Sequence, residues 1–501
     1  MNGKKLNQLK ELIYEINDIK MATAVLAWDQ ETYMPKGGIQ DRAEQLSTLN
    51  KISHGKFTSS EIGDLIKELK SEIKSIDDES NDVRLIRVLN RTYNKAVKVP
   101  ASLVAETSKA CSIGQQTWIE AKNKSDFSLF KPCLELIIEL KKEYAKIFSP
   151  YASIYDPLLD DFEPGLKTTD VKKIFNELRP QQVKLIQQIR EKKEIDNSFL
   201  FREYDIEKQL GLGKDAITKF GFDWDRGRQD KSAHPFSINF GIGDVRITTR
   251  LDKNYLPMAL FGTLHEAGHA MYEQGISQEL RRTPLGHGAS LAIHESQSRL
   301  WENIIGRSKA FWTYFYPELQ KTFPKNLSDI SLNNFYKGIN KVKSSFIRVE
   351  ADEATYNLHI MLRLEIEIGL MEGSISVADL PSVWNSKMKE YLGITPKNDA
   401  DGVLQDIHWA MGAIGYFSTY ALGNLVSVQI WEKINQDIPD ISSQIEKGEF
   451  SALLGWLRKN IYAHGAKFEP QELVQKVTGS KINPAPYVKY LSEKYGEIYS
   501  L

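Results

Sequence analysis

The chain has 501 residues, with 65 Lys and Arg against 66 Asp and Glu, so its formal net charge is −1 at pH 7. Hydrophobic residues make up 41% and charged residues 26%, enough apolar material for a large core. Near-neutrality removes the electrostatic basis for general nucleic-acid or anionic-membrane binding, and no apolar run approaches the roughly 20 residues that span a bilayer. Residues 1–10 (MNGKKLNQLK) lack the apolar stretch of a signal peptide, so a cytoplasmic protein without nucleic-acid or membrane partners is expected. In chain order, Leu6, Leu9, Leu12, Ile13 and Ile16 form a helical stripe, and Leu134, Ile137, Ile138, Leu140 and Tyr144 form another. The two cysteines, Cys111 and Cys133, stand far from any Cys or His at metal-ligand spacing and read as buried free thiols. Helical spacing recurs at 171–189, 255–272, 291–305, 346–370 and 453–462, with Gly275 and Gly306 at positions that suit helix ends. The exception is 236–251 (FSINFGIGDVRITTRL), where β-branched and aromatic residues flank Gly241-Ile242-Gly243-Asp244 as in a β-hairpin. No linker or repeat divides the sequence. The expected fold is mainly α, with one small sheet or hairpin ahead of the 255–272 helix, built over 1–501 as a single domain or as two closely packed helical lobes.

The chemistry follows that hairpin. Residues 263–273 read TLHEAGHAMYE and contain His265-Glu266-x-x-His269. On a helix, residues four apart differ by about 40° in azimuth and one turn in height, so both imidazoles can converge on one ion. Glu266, about 100° around the helix, can reach a water on that ion without becoming a ligand. Chance would give this pattern on the order of 0.02 times in such a chain. A catalytic zinc site needs a third protein ligand, and the next candidates are His294 and Glu295 in AIHESQSRLWEN. The arrangement resembles that of gluzincins, whose third ligand is a Glu on a later helix, which selects Glu295 over His294. His287, between Gly286 and Gly288, falls in a loop and is left unassigned.

These residues belong to a wider set of blocks: His234-Pro235-Phe236, Asp244-x-Arg246-x-Thr248, the His265–His269 motif, His294-Glu295-Ser296-Gln297, Ile347-Arg348-x-x-Ala351-Asp352 and Gly402-x-x-Gln405-Asp406-x-His408-Trp409. Their order and spacing resemble the carboxypeptidase Taq family of zinc-dependent metallocarboxypeptidases, as do LAWDQETYMP at 26–35 and GYFSTYALGN at 415–424. The resemblance implies a helical fold with a deep substrate groove, a homodimer, one zinc ion per chain and broad-specificity release of single residues from peptides with a free C-terminal carboxylate. Cobalt suits the same nitrogen and oxygen donors.

The resemblance also implies help at the reacting carbonyl from His408 and from a tyrosine, Tyr420 in preference to Tyr416. Arg348 taken alone reads as the partner of Asp352 within a long helix. The family match makes it the clamp for the substrate carboxylate, to which an arginine fork is suited. Arg246 is the alternative, on a hairpin strand that could pair with extended substrate. Asp244 and Thr248 are expected to fix the hairpin, and His234 to face either the groove or its own turn. Asp406 or Gln405 is expected to orient imidazoles, and Asp29 to cap a helix beside a packed Trp28. Two other readings stand beside the exopeptidase. One is a helical zinc oligopeptidase or dipeptidyl carboxypeptidase that cuts internally or releases dipeptides, and the other is a non-catalytic binding protein that zinc merely stabilises.

Overall fold

The computed structural model describes residues 2–73 and 79–501. Helices follow the apolar stripes. Leu6, Leu9, Ile13 and Ile16 are buried along the helix Gly3–Thr32, whose start is fixed by Asn2 accepting from the backbone N–H groups of Lys4 and Lys5. With the helices Ile39–Phe57, Ser60–Glu72 and Asn81–Lys98 it forms an N-terminal group with its own apolar cluster. That cluster reaches the remainder of the chain through Ile242, Ile276, Leu280 and Leu285. A larger core gathers the helices from Phe127 onward, and among the described residues no helix is long and apolar enough to cross a membrane.

The hairpin is present, and it belongs to a sheet of three strands: β1 (Gly227–Lys231), β2 (Ser237–Asn239) and β3 (Val245–Thr249), in the order β1-β3-β2. β3 runs parallel to β1 and antiparallel to β2. The turn closes where Phe240 N–H donates to the Asp244 carbonyl at 2.8 Å, and Gly241 adopts φ +123°, which favours glycine. Strand β1 escaped the sequence reading because GRQDK carries no apolar alternation. On β3, Val245 and Ile247 are buried, and Thr249 meets Thr263 of the following helix across 3.3 Å, so the sheet seats that helix.

That helix, Leu256–Gln274, begins with Pro257 in its first turn and ends at Gly275. Gly275 and Gly306 do follow helix ends, but with right-handed backbones (φ −87° and −65°), so neither is a left-handed cap. Gly275 is small because a β-carbon there would lie 2.5 Å from the Tyr462 ring. The stretch 291–305 divides into an α-helix, Leu291–Arg299, and a wider π turn, Leu300–Ile305, a form often found at functional sites.

Three expectations are corrected. The helix expected over 346–370 starts at Glu353, because Asp352 caps it by accepting from Ala354 and Thr355 N–H; Arg348 lies ahead of it in a short 3-10 turn, Arg348–Glu350. Asp29 caps nothing: it lies inside the first helix and pairs with Arg42 at 2.8 Å. Cys111 and Cys133 are free but only partly buried.

Candidate active site

His265 and His269 occupy successive turns on one face of the helix Leu256–Gln274, and Glu295 reaches them from the helix Leu291–Arg299. Glycines set how closely the elements approach. A β-carbon on Gly268 would lie 2.7 Å from the Gln297 carbonyl oxygen, and one on Gly423, in the helix Ser418–Asp437, 2.7 Å from Glu295 Cβ. Glu295 Oε2 stands 3.7 Å from His265 Nε2 and 3.5 Å from His269 Nε2. Tetrahedral zinc with bonds of about 2.0–2.2 Å holds its donors about 3.4 Å apart. Both separations are close to that value, and all three donors lie within 4.8 Å of one another, so together they could hold one divalent ion.

The tautomers agree with that fit. His265 Nδ1 lies 2.8 Å from Glu302 Oε2, on the π turn, and an ionised carboxylate only accepts, so Nδ1 carries the proton and Nε2 its lone pair. His269 Nδ1 lies 2.6 Å from His294 Nδ1, whose Nε2 is 2.7 Å from Glu273 Oε1. Glu273 makes His294 Nε2 the donor, which leaves the Nδ1 of a neutral His294 to accept from His269. Both motif histidines thus present Nε2 lone pairs towards Glu295.

The charges are strongly perturbed. Burial opposes ionisation of Glu295, but Arg299, joined by His265 and His269 when they are protonated in the metal-free protein, outweighs it and holds the carboxyl well below the usual range. Burial likewise opposes Glu302, which Arg299, His265 and Arg307 bring down to about 2. Glu266 behaves oppositely: burial, with Glu295 and Glu302 adding to it, pushes its carboxyl up to about 7.

A second cluster is built around Asp406. Arg348 Nη2 binds Oδ1 at 2.8 Å and Arg363 Nη2 binds Oδ2 at 2.6 Å, while Gln405 Oε1 accepts from the Arg348 backbone N–H and from Arg363. Two guanidinium groups against one carboxylate leave a formal charge of +1. Arg348 Nη1 also donates to the Tyr356 hydroxyl at 2.8 Å, and the guanidinium lies 5.0 Å from the Tyr420 ring centre. His408 Nε2 is 3.4 Å from the Tyr420 hydroxyl. Burial, aided by Arg348 and Arg363 against Asp406, draws His408 down to about 4, so it is neutral at pH 7. Burial raises the Tyr420 hydroxyl well above its ordinary value, which keeps its proton in place. Tyr416 packs edge-on against Phe162 and Tyr420.

A family model described as carboxypeptidase Taq (M32) metallopeptidase matches residues 8–495. The chain belongs to this family. Carboxypeptidase 1 of Bacillus subtilis is 41% identical over 98% of each chain, and thermostable carboxypeptidase 1 of Thermus thermophilus is 40% identical over 95% of each. The M32 carboxypeptidase structure from Deinococcus radiodurans superposes with a TM-score of 0.97 at 38% identity, covering 99% of this chain and 100% of that one. The chain is a metallocarboxypeptidase, a mainly helical hydrolase with a divalent-metal requirement.

Within this family member, the remaining expected residues divide. Arg246 lies on β3, the central strand, so that strand has no free edge for a peptide; its fork is filled by Asp244 at 2.8 and 2.9 Å, and it packs on Trp28 and Phe240 at 4.4 and 4.8 Å. Thr248 holds the hairpin as expected, accepting from Phe236 N–H at 3.0 Å. His234 is exposed, and its turn contact is made by its carbonyl, which accepts from the Ser232 hydroxyl. Asp406 and Gln405 orient arginines; Asp406 comes only within 3.9 Å of His408. The Arg348–Asp352 pair is not formed, since Asp352 is occupied as a helix cap.

Glu302, Arg299, Glu273, Tyr356 and Arg363 were not singled out from sequence. A spacing signal existed for Glu273, four residues after His269 on the same helix, and for Arg299 and Glu302, four and seven after Glu295. Arg363 is fully buried in the helix Glu353–Glu372, and its partners Asp406 and Gln405 lie more than 40 residues away, so no local spacing pointed to them.

Proposed function

We propose that His265, His269 and Glu295 hold one zinc ion per chain and that the enzyme removes single residues, with broad specificity, from peptides bearing a free C-terminal carboxylate. The supporting observation is the convergence of two Nε2 lone pairs and one carboxylate oxygen, each fixed from behind by a hydrogen bond or ion pair. Bound zinc would supply Lewis acidity, lowering the pKa of a water towards about 7 and polarising the scissile carbonyl. Cobalt would serve in its place.

Glu266 takes the proton of the attacking water and passes it to the departing amine. Tyr420, still protonated, donates to the carbonyl oxygen as it gains charge, with His408 beside it. Tyr416 supports the Tyr420 ring and lines the substrate side. Arg348 binds the substrate carboxylate: Asp406 and Tyr356 engage three of its N–H groups, and the +1 cluster matches one incoming anion. Arg246 is assigned to holding the hairpin, and His234 to the rim of the substrate groove. The whole chain acts as one catalytic unit, and we assign it, with the family resemblance, to a cytoplasmic homodimer.

Mass analysis of a digested peptide tests the reading. Loss of one terminal residue per step supports it, whereas release of dipeptides identifies an oligopeptidase. Glu266→Gln is expected to keep zinc and fold while losing nearly all turnover; full activity would contradict the role given to Glu266.

A further inference from the structure

Arg299 takes no part in the catalytic steps above, yet it bridges two carboxylates of the site. Its Nε donates to Glu295 Oε1 at 2.6 Å and its Nη1 to Glu302 Oε2 at 3.2 Å. Glu302 Oε2 is also the oxygen that fixes His265 Nδ1. The guanidinium packs over the Tyr356 ring at 4.6 Å, and its side chain is only 14% exposed. One fork therefore joins the carboxylate facing the ion to the carboxylate behind a histidine facing the same ion.

The two oxygens of Glu295 are consequently unequal. Oε1 is taken by a charge-assisted hydrogen bond to Arg299. Oε2 is the atom that faces both Nε2 nitrogens. The Ser298 hydroxyl has a single proton and lies nearer the Glu295 carbonyl, at 2.8 Å, than Oε2, at 3.2 Å, so it leaves Oε2 free. We propose that Arg299 is a positioning residue that confines Glu295 to a single oxygen towards the ion and thereby keeps a coordination position open. The inference rests on the three-donor reading above. A lysine cannot reproduce the arrangement, because one ammonium lacks the planar fork that spans both carboxylates.

The test uses holoenzyme loaded with zinc or with cobalt, whose visible absorption weakens severalfold when its coordination number rises from four to five. In Arg299→Met, Oε1 is released and Glu295 can bind through both oxygens. Its cobalt absorption is expected to fall at least twofold, and its zinc affinity to fall about ten- to a hundredfold, the usual cost of losing an orienting partner. Arg299→Lys is expected to fall between the two proteins in both readouts. A cobalt spectrum that superposes on wild type, with a zinc Kd within twofold, would overturn the proposal. If circular dichroism shows Arg299→Met to be unfolded, Arg299→Lys decides by the same criteria. Failure of the wild-type protein to take up either metal would instead defeat the three-donor reading on which the proposal stands.

Discussion

Gly268 and Ser298 stand so close that a β-carbon on the glycine would lie 2.7 Å from the serine α-carbon. The backbones of two helices meet there, so neither can yield as the tip of a flexible side chain could. Gly268→Ala is expected to destabilise the protein by about 1–3 kcal/mol through overpacking and to weaken zinc binding, because the helices bearing His269 and Glu295 must separate. Gly262→Ala, on the same helix with nothing within 4 Å, is the control. There the gain in helix propensity should leave the melting temperature unchanged or higher. Equal behaviour of the two variants would show that the close crossing is unimportant.

His294 Nδ1 meets His269 Nδ1 at 2.6 Å, while His269 Nε2 faces Glu295. Replacing His294 with alanine removes the acceptor for His269 Nδ1 and leaves Glu273 without its imidazole partner. Zinc affinity should drop about ten- to a hundredfold, measured by competition with a chromogenic chelator. An unchanged affinity would mean that His269 needs no orientation from this side.

What could be read in advance, and what could not, follows from the range of each interaction. His265 and His269 share a four-residue spacing on one helix, so their convergence was legible from local geometry. Glu295 required knowledge of a second helix and came from resemblance. The local i,i+4 reading of Arg348 with Asp352 fails because the carboxylate has stronger local bonds available as a helix cap and the arginine has Asp406, 58 residues away. The Asp406 cluster depends on chain segments that meet only in the folded state. Periodicity carries no such information.

Arg348→Ala should reduce kcat/KM on peptides with a free C-terminus by about a hundredfold, corresponding to roughly 2–3 kcal/mol of charge-assisted binding. Amidated versions of the same peptides should be poor substrates of both proteins and change little. Equal losses on both would make Arg348 a structural partner of Asp406 alone.

Glu163 supplies a pH dependence away from the ligands. It is fully buried, one oxygen accepts from Ala292 N–H at the start of the Glu295 helix, and burial pushes its carboxyl up to about 8. The folded state therefore holds a proton that the unfolded chain releases near its ordinary value. The contribution is present at acidic pH and is lost as pH rises from about 4.5 to about 8, at about 1.4 kcal/mol per unit across that span. Glu163→Gln retains an acceptor for Ala292 but cannot ionise. Measured by denaturant unfolding, wild type should lose stability relative to this variant between pH 5 and pH 8; a constant difference would show that Glu163 does not carry the proton.

Calorimetric titration of zinc into metal-free protein tests the ligand assignment most directly. Wild type and Glu266→Gln should each bind one ion per chain with similar affinity, while His265→Ala, His269→Ala and Glu295→Ala should each bind it far more weakly. Undiminished zinc binding in any of those three would contradict the assignment of that residue as a ligand.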